Sequence, residues 1–197
     1  GQPLSKSFSL SRVEEKLPIW RAEAQKFRQQ AAGRGKAAGR GKAAGGKRIF
    51  IFSTLLYWIE HTTLLGLSMS GLGHDITLAY LPYANWRTPF NRFDLRRQNA
   101  YANSILSQAA PLVDTLSLLD VKTGSEGLPA PLKERIREVS LRDAQYTLQV
   151  EDVDQSNTSN SESARLYRLR VGRNTQAASA ALAWMQANHP EVVIVPN

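Results

Sequence analysis

The chain has no cysteine, which excludes disulfides, thiolate metal sites and cysteine nucleophiles and agrees with a reducing compartment. Histidine is scarce as well: His61, His74 and His189 are scattered without the spacing of a metal site. No secretory signal is visible, because Arg12, Glu14, Glu15 and Lys16 break the first apolar run. A charge-free run of the ~20 residues that a spanning helix needs is missing too. The nearest approach, Ile49 to Met69, carries Glu60 and His61 at its centre, where a charge costs at least ~2.5 kcal/mol. Ser53-Thr54 also divides that run into two parts of different periodicity, so it reads as strand plus helix. Acidic residues are few at one end. Residues 1–48 hold 12 Lys/Arg against 3 Asp/Glu, and residues 49–197 hold 13 against 14. The formal charge of +8 therefore belongs to an N-terminal arm, and the usual inference from basicity to a polyanionic partner applies to that arm alone.

What the sequence does have is enough apolar material, 42% of 197 residues, for one real core and an appendage. It also has a repeat, "AAGRGKAAGRGKAAGGKR", from Ala31 to Arg48. Gly41 through Gly46-Lys47 matches the GxxxxGK spacing of a phosphate loop, but Arg48 follows where Ser or Thr would bind magnesium. The motif also precedes the first strand, whereas a phosphate cradle lies between strand and helix, where backbone amides converge. The repeat has no aromatic residue to stack a base and no apolar face to bury. It reads as a flexible basic tether. Asn157-Thr158-Ser159 matches a glycosylation sequon and Gly1 with Ser5 a loose myristoylation pattern; nothing else in the chain supports either.

Ser11-Arg12-Val13-Glu14 is a capping box, and Val13, Leu17, Trp20, Ala24 and Phe27 then form one apolar stripe at helical spacing. Pro18 predicts a kink or the true helix start. The polar face is basic and suits weak contact with an anionic membrane surface. Arg48–Ser53, "RIFIFS", is a short β-rich run typical of a strand buried on both faces. A helix ended by Gly71 and Gly73 follows, then a second strand over Ile76–Tyr83, together a β-α-β unit that implies a parallel sheet. Further helices are expected over about 93–110, 128–144 and 161–188, with strands at Thr115–Val121, in "YTLQVED" and in "EVVIVPN". The alternation defines an α/β, Rossmann-like fold. Its expected segments are an amphipathic helix over 1–30, a flexible linker over 31–47 and a Rossmann-like domain over 48–197. Because the last strand stops at Pro196-Asn197, where a loop would complete a site, that domain is expected to be truncated and the chain to be a fragment.

Ligands of open α/β sheets bind at the carboxyl ends of the strands, which draws attention to Ser53 and Thr54. They either cap the following helix or hydrogen-bond a ligand hydroxyl. The turn after them contains no glycine, so a pyrophosphate could not approach its backbone closely and dinucleotide binding is not expected. Glu60-His61 is an acid and an imidazole inside an apolar helix, able to serve as acid/base groups if buried, although adjacent helix residues diverge by about 100°. Tyr83, Trp86 and Arg87 follow the second strand on the same edge, where aromatics can stack on a sugar or base. The arginines at 165, 168, 170 and 173 read as a solvated helix face.

The run "RIFIFSTLLYWIEHTTLLGLSMSGLGHDITLAYLPY" resembles the opening of the N-terminal, acceptor-side domain of GT-B glycosyltransferases, the turn "GLGHDITL" being its most characteristic piece. "ALAWMQANHPEVVIVPN" is similar to a later unit of that domain. The resemblance implies transfer of a sugar from a nucleotide-sugar donor, without a bound-metal requirement or other cofactor, to a glycan, lipid or small-molecule acceptor. It implies a C-terminal donor-binding domain that this sequence does not include. The missing cysteines and secretory signal agree with a cytoplasmic protein, and the basic N-terminal arm with weak peripheral contact at the inner membrane face. Under the resemblance, Glu60 and His61 would be the catalytic candidates, and Ser53, Thr54, Tyr57, Tyr83 and Asn197 would bind substrate. The chain departs from the family where Ser53-Thr54-Leu55-Leu56 replaces the glycine-rich turn many members place after the first strand. The alternative is a non-catalytic Rossmann-like binding or regulatory module whose basic arm contacts nucleic acid or a membrane; on the first reading nucleic acid is not a partner.

Overall fold

The computed structural model describes residues 11–37, 46–54, 57–82, 88–89, 91–123 and 127–195. The elements in chain order are α1 (Ser11–Ala37), β1 (Arg48–Thr54), α2 (Tyr57–Gly71), β2 (Asp75–Leu81) and α3 (Arg92–Leu106), which tightens into a 3₁₀ turn at Ser107–Ala109. After these come β3 (Val113–Ser117), α4 (Ala130–Leu148), α5 (Glu162–Asn188) and β4 (Val192–Ile194). The chain divides into two compact units. The first comprises Gly1–Ala84, Asp94–Ser117 and His189–Asn197, and the second Asn85–Phe93 and Leu118–Asn188.

The first unit is built on a four-stranded sheet in the order β3-β2-β1-β4, parallel at every pairing. This is the Rossmann-like α/β class that the sequence predicts. β1 and β2 run in register from Arg48↔Asp75 to Thr54↔Leu81, while β1 and β4 pair only from Ile49↔Val192 to Ile51↔Ile194. The β-branched run of β1 suits a strand covered on both sides: Ile49 and Ile51 join the main core, and Phe50, pointing the other way, is buried as well. That core also holds Leu78, Tyr80, Ile105 and Val113.

α1 packs on α2 within this unit. Leu17 is fully buried, worth about 2 kcal/mol relative to exposure. Ala24 meets Gly71 so closely that a Cβ on Gly71 would lie 3.1 Å from Ala24 Cα. The helix continues through Pro18, at a cost of roughly 3 kcal/mol in an unsupported helix that the burial of Leu17 and Ala24 offsets. It also runs to Ala37, so residues 31–37, expected as linker, are helical. Ala31, Ala32, Lys36 and Ala37 favour helix, against about 1 kcal/mol for each glycine. Residues 38–45 of the predicted tether lie outside the described residues.

The second unit is a pair of helices, α4 and α5, around Ala144, Val153, Leu166 and Tyr167. "YTLQVED" is not a strand: Tyr146 to Leu148 close α4, and Gln149 caps it in the left-handed conformation at φ 57°. Leu141, Ala144 and Leu148 lie on one helical face against that cluster, and this packing outweighs the local β propensity. Ser161 starts α5, accepting a hydrogen bond from the Ala164 amide at 3.2 Å while its own hydroxyl donates to Asp154 at 3.0 Å. Arg170 and Arg173, expected on a solvated face, are buried. Arg170 pairs with Asp143 at 3.1 Å, and Arg173 donates to the Thr88 carbonyl at 2.7 Å.

Candidate functional site

β2 and β4 flank β1 on opposite sides; the chain runs from β1 through β2 to β3 and then returns to β4, so the strand order reverses between β1 and β4, and their carboxyl ends form a topological switch point, the place where open α/β sheets bind ligands. β1 continues to Thr54, three residues past Ile51, the last to pair with β4. Of the two residues that end the strand, Ser53 is completely buried and accepts a hydrogen bond from Thr62 Oγ1 at 2.8 Å. Its hydroxyl thus ties β1 to α2 from within. Thr54 closes the strand opposite Leu81 and Tyr57 opens α2; both are placed here by their backbone. Tyr83 and Asn197 lie outside the described residues.

One helical turn into α2, Glu60 is buried. Tyr101 of α3 donates its hydroxyl to Glu60 Oε1 at 3.1 Å, and Glu60 Oε2 is buried with no hydrogen-bond partner. Burial raises the Glu60 pKa above its ordinary value. The Tyr101 hydrogen bond opposes that rise, the Glu14 carboxylate adds to it, and His61 and the Glu14 backbone amide pull the other way. Tyr101 is pushed up to about 12, first by burial and then by the Glu60 charge. His61 is exposed, its ring tilted against Trp58 with centroids 6.4 Å apart. The helix therefore separates the two residues that the sequence sets side by side: the carboxyl faces α3 and the imidazole faces solvent.

At the opposite, amino end of β1, the glycine-rich segment arrives against the turn before β2. A Cβ on Gly46 would lie 2.4 Å from the Gly73 carbonyl oxygen. The Lys47 amide donates to His74 Nδ1 at 3.1 Å, and Lys47 O accepts from the Asp75 amide at 2.9 Å. Gly46 and His74 thus fasten a chain crossing, and the helix exit at Gly73, with φ 96°, requires glycine.

Sequence reasoning found Glu60 but not Tyr101, its partner. The available signal was the position of Tyr101 one turn before Ile105 on the inner side of α3. Thr62 was missed too; as a polar residue in an apolar helix it was open to the same suspicion as Glu60. Among the described residues, no group of three or more His, Asp or Glu comes together as a metal site, and no helix is long and apolar enough to cross a membrane. Comparison with family models, curated proteins and solved structures finds no match to this chain.

Proposed function

We propose that this chain is the acceptor-side half of a GT-B-type glycosyltransferase, binding a hydroxyl-bearing acceptor in the crevice at the carboxyl ends of β1 and β4. Alone it does not transfer sugar from a nucleotide-sugar donor. The observation that carries this reading is the strand order β3-β2-β1-β4, which gives a switch point at the strand end where the resemblance expects an acceptor. The glycine-free turn after β1 fits a half that does not hold the donor pyrophosphate. The separation of Glu60 from His61 fits a half that binds rather than one that makes bonds.

The same separation favours a second reading, a binding or regulatory module with no transferase partner domain. The continuation of the gene's reading frame past Asn197 distinguishes the two. A second β/α domain with a glutamate-bearing donor motif supports the transferase half, and a stop codon directly after Asn197 overturns it in favour of the module.

A further inference from the structure

The second unit carries a cleft of about 620 Å³, a volume typical of sites for small molecules. Its lining is largely apolar, with Leu148 from the end of α4, Leu166 and Leu169 from the first two turns of α5, and Pro89. Leu148 and Leu166 belong to the small core of this unit, so their places are set by packing. Thr88, next to Pro89 in the lining, is held through its carbonyl by the buried Arg173. The walls are therefore fixed before any ligand arrives, which lowers the cost of binding one.

Glu162, Arg165 and Arg168 also line the cleft. Arg168 is already engaged: it donates to the Ser156 carbonyl at 2.7 Å and lies close to the Asp154 carboxylate. Glu162 and Arg165 differ. An acid and a base three residues apart share a helix face and can pair. The protein closes such pairs, in the same order, at Glu23–Lys26 (2.6 Å), Asp94–Arg97 (3.8 Å) and Glu134–Arg137 (3.3 Å). Glu162 and Arg165, both exposed, stay apart, and neither side chain has a hydrogen-bond or ion-pair partner among the described residues. One carboxylate and one guanidinium thus stand unneutralised beside an apolar lining.

These charges select among occupants. An apolar anion would match Arg165 but bring a second negative charge to Glu162. An apolar amine would do the reverse, and an uncharged solute would use neither. A molecule that carries both charges on an apolar body suits all parts of the lining, and the volume leaves room for more than one apolar side chain. We infer that the cleft binds a short apolar peptide with free ends, of dipeptide size. Its ammonium pairs with Glu162, its carboxylate with the Arg165 guanidinium, and its side chains lie against Leu148, Leu166, Leu169 and Pro89. The inference is independent of the acceptor-side reading, since the cleft lies in the second unit and needs no ligand at the strand ends.

The test is isothermal titration of the full chain with leucyl-phenylalanine, its N-acetyl form and its C-terminal amide, repeated with Glu162→Gln and Arg165→Gln. The expected result is saturable binding of the dipeptide, weakened roughly three- to tenfold by blocking either end. Glu162→Gln is expected to bind the dipeptide and its N-acetyl form alike, and Arg165→Gln the dipeptide and its amide alike, because each variant lacks the partner of the charge removed. Both positions are exposed, and circular dichroism verifies each fold; if a variant is altered, the three ligands on the parent chain decide alone. Absence of saturable dipeptide binding, equal affinity for the three ligands, or tighter binding of a blocked form overturns the proposal. So do folded variants that discriminate among the ligands as the parent does.

Discussion

Tyr101 on α3 donates its hydroxyl to Glu60 on α2 at 3.1 Å, and the second oxygen of that buried carboxyl has no hydrogen-bond partner. A half-satisfied acid in a core costs stability once it ionises. It stands three residues after the first residue of α2.

Glu60→Gln tests that cost. The folded-state pKa lies above the ordinary 4.5, chiefly through burial, so the folded protein binds this proton more tightly than the unfolded one. Stability therefore falls as pH rises from the ordinary value through the folded value, and the full penalty is present above both. Glutamine keeps an acceptor for Tyr101 and cannot ionise. The stability of the variant relative to the parent is expected to improve as pH rises above the ordinary carboxylate value of 4.5 and to level off above the raised folded value, read from urea midpoints. A difference that does not change with pH would contradict a buried, ionising Glu60.

Tyr101→Phe removes the donor and leaves Glu60 Oε1 bare. The expected loss is about 1–2 kcal/mol at neutral pH. Because the Tyr101 bond holds the Glu60 pKa down, the loss shrinks in acid, where the carboxyl is protonated. Denaturant curves at the two pH values check both statements.

Thr62→Val deletes the hydroxyl that meets Ser53 at 2.8 Å while nearly preserving shape. With Ser53 fully buried, a loss of about 1–2 kcal/mol is expected. Amide exchange should also quicken at Ser53 and Thr54, which hydrogen-exchange mass spectrometry resolves; exchange unchanged there would mean that the contact does not hold the strand end.

Gly71→Ala places a methyl group 3.1 Å from Ala24 Cα and 3.3 Å from its carbonyl oxygen, both backbone atoms that cannot swing aside. Alanine normally gains about 0.5–1 kcal/mol over glycine within a helix. Overpacking costs typically 1–3 kcal/mol, so the net expectation is destabilisation by about 1 kcal/mol, seen as a lower thermal midpoint. A gain in stability would mean that α1 does not pack on α2 at this point.

The sheet was legible because its strands announce themselves locally. "RIFIFS" and "ITLAYL" are β-branched, bounded by glycine and proline, and became β1 and β2 within a residue or two. Where local signals competed with packing, packing won. Leu148 looked like part of a strand and closes α4 instead. The first repeat of the glycine-rich segment continues α1 for a local reason, the helix propensity of its alanines. Arg170 and Arg173 are polar by type and buried by partner, and those partners are Asp143 and the Thr88 carbonyl, too distant in sequence for any local pattern to reveal. The same holds for Glu60. A charge inside an apolar helix suggested burial, but Tyr101 stands 41 residues away, so the sequence paired Glu60 with its neighbour His61, which is exposed beside Trp58.

The central claim is that the carboxyl ends of β1 and β4 form an acceptor site. The most direct measurement is a titration of the isotope-labelled protein, followed by backbone amide NMR, with a panel of mono- and disaccharides and with nucleotide sugars. The account predicts saturable shifts at Ser53, Thr54, Ile194 and Val195 with at least one saccharide, and none there with free nucleoside diphosphate. Shifts confined to other parts of the chain, or nucleoside diphosphate binding at Ser53 and Thr54, would contradict it.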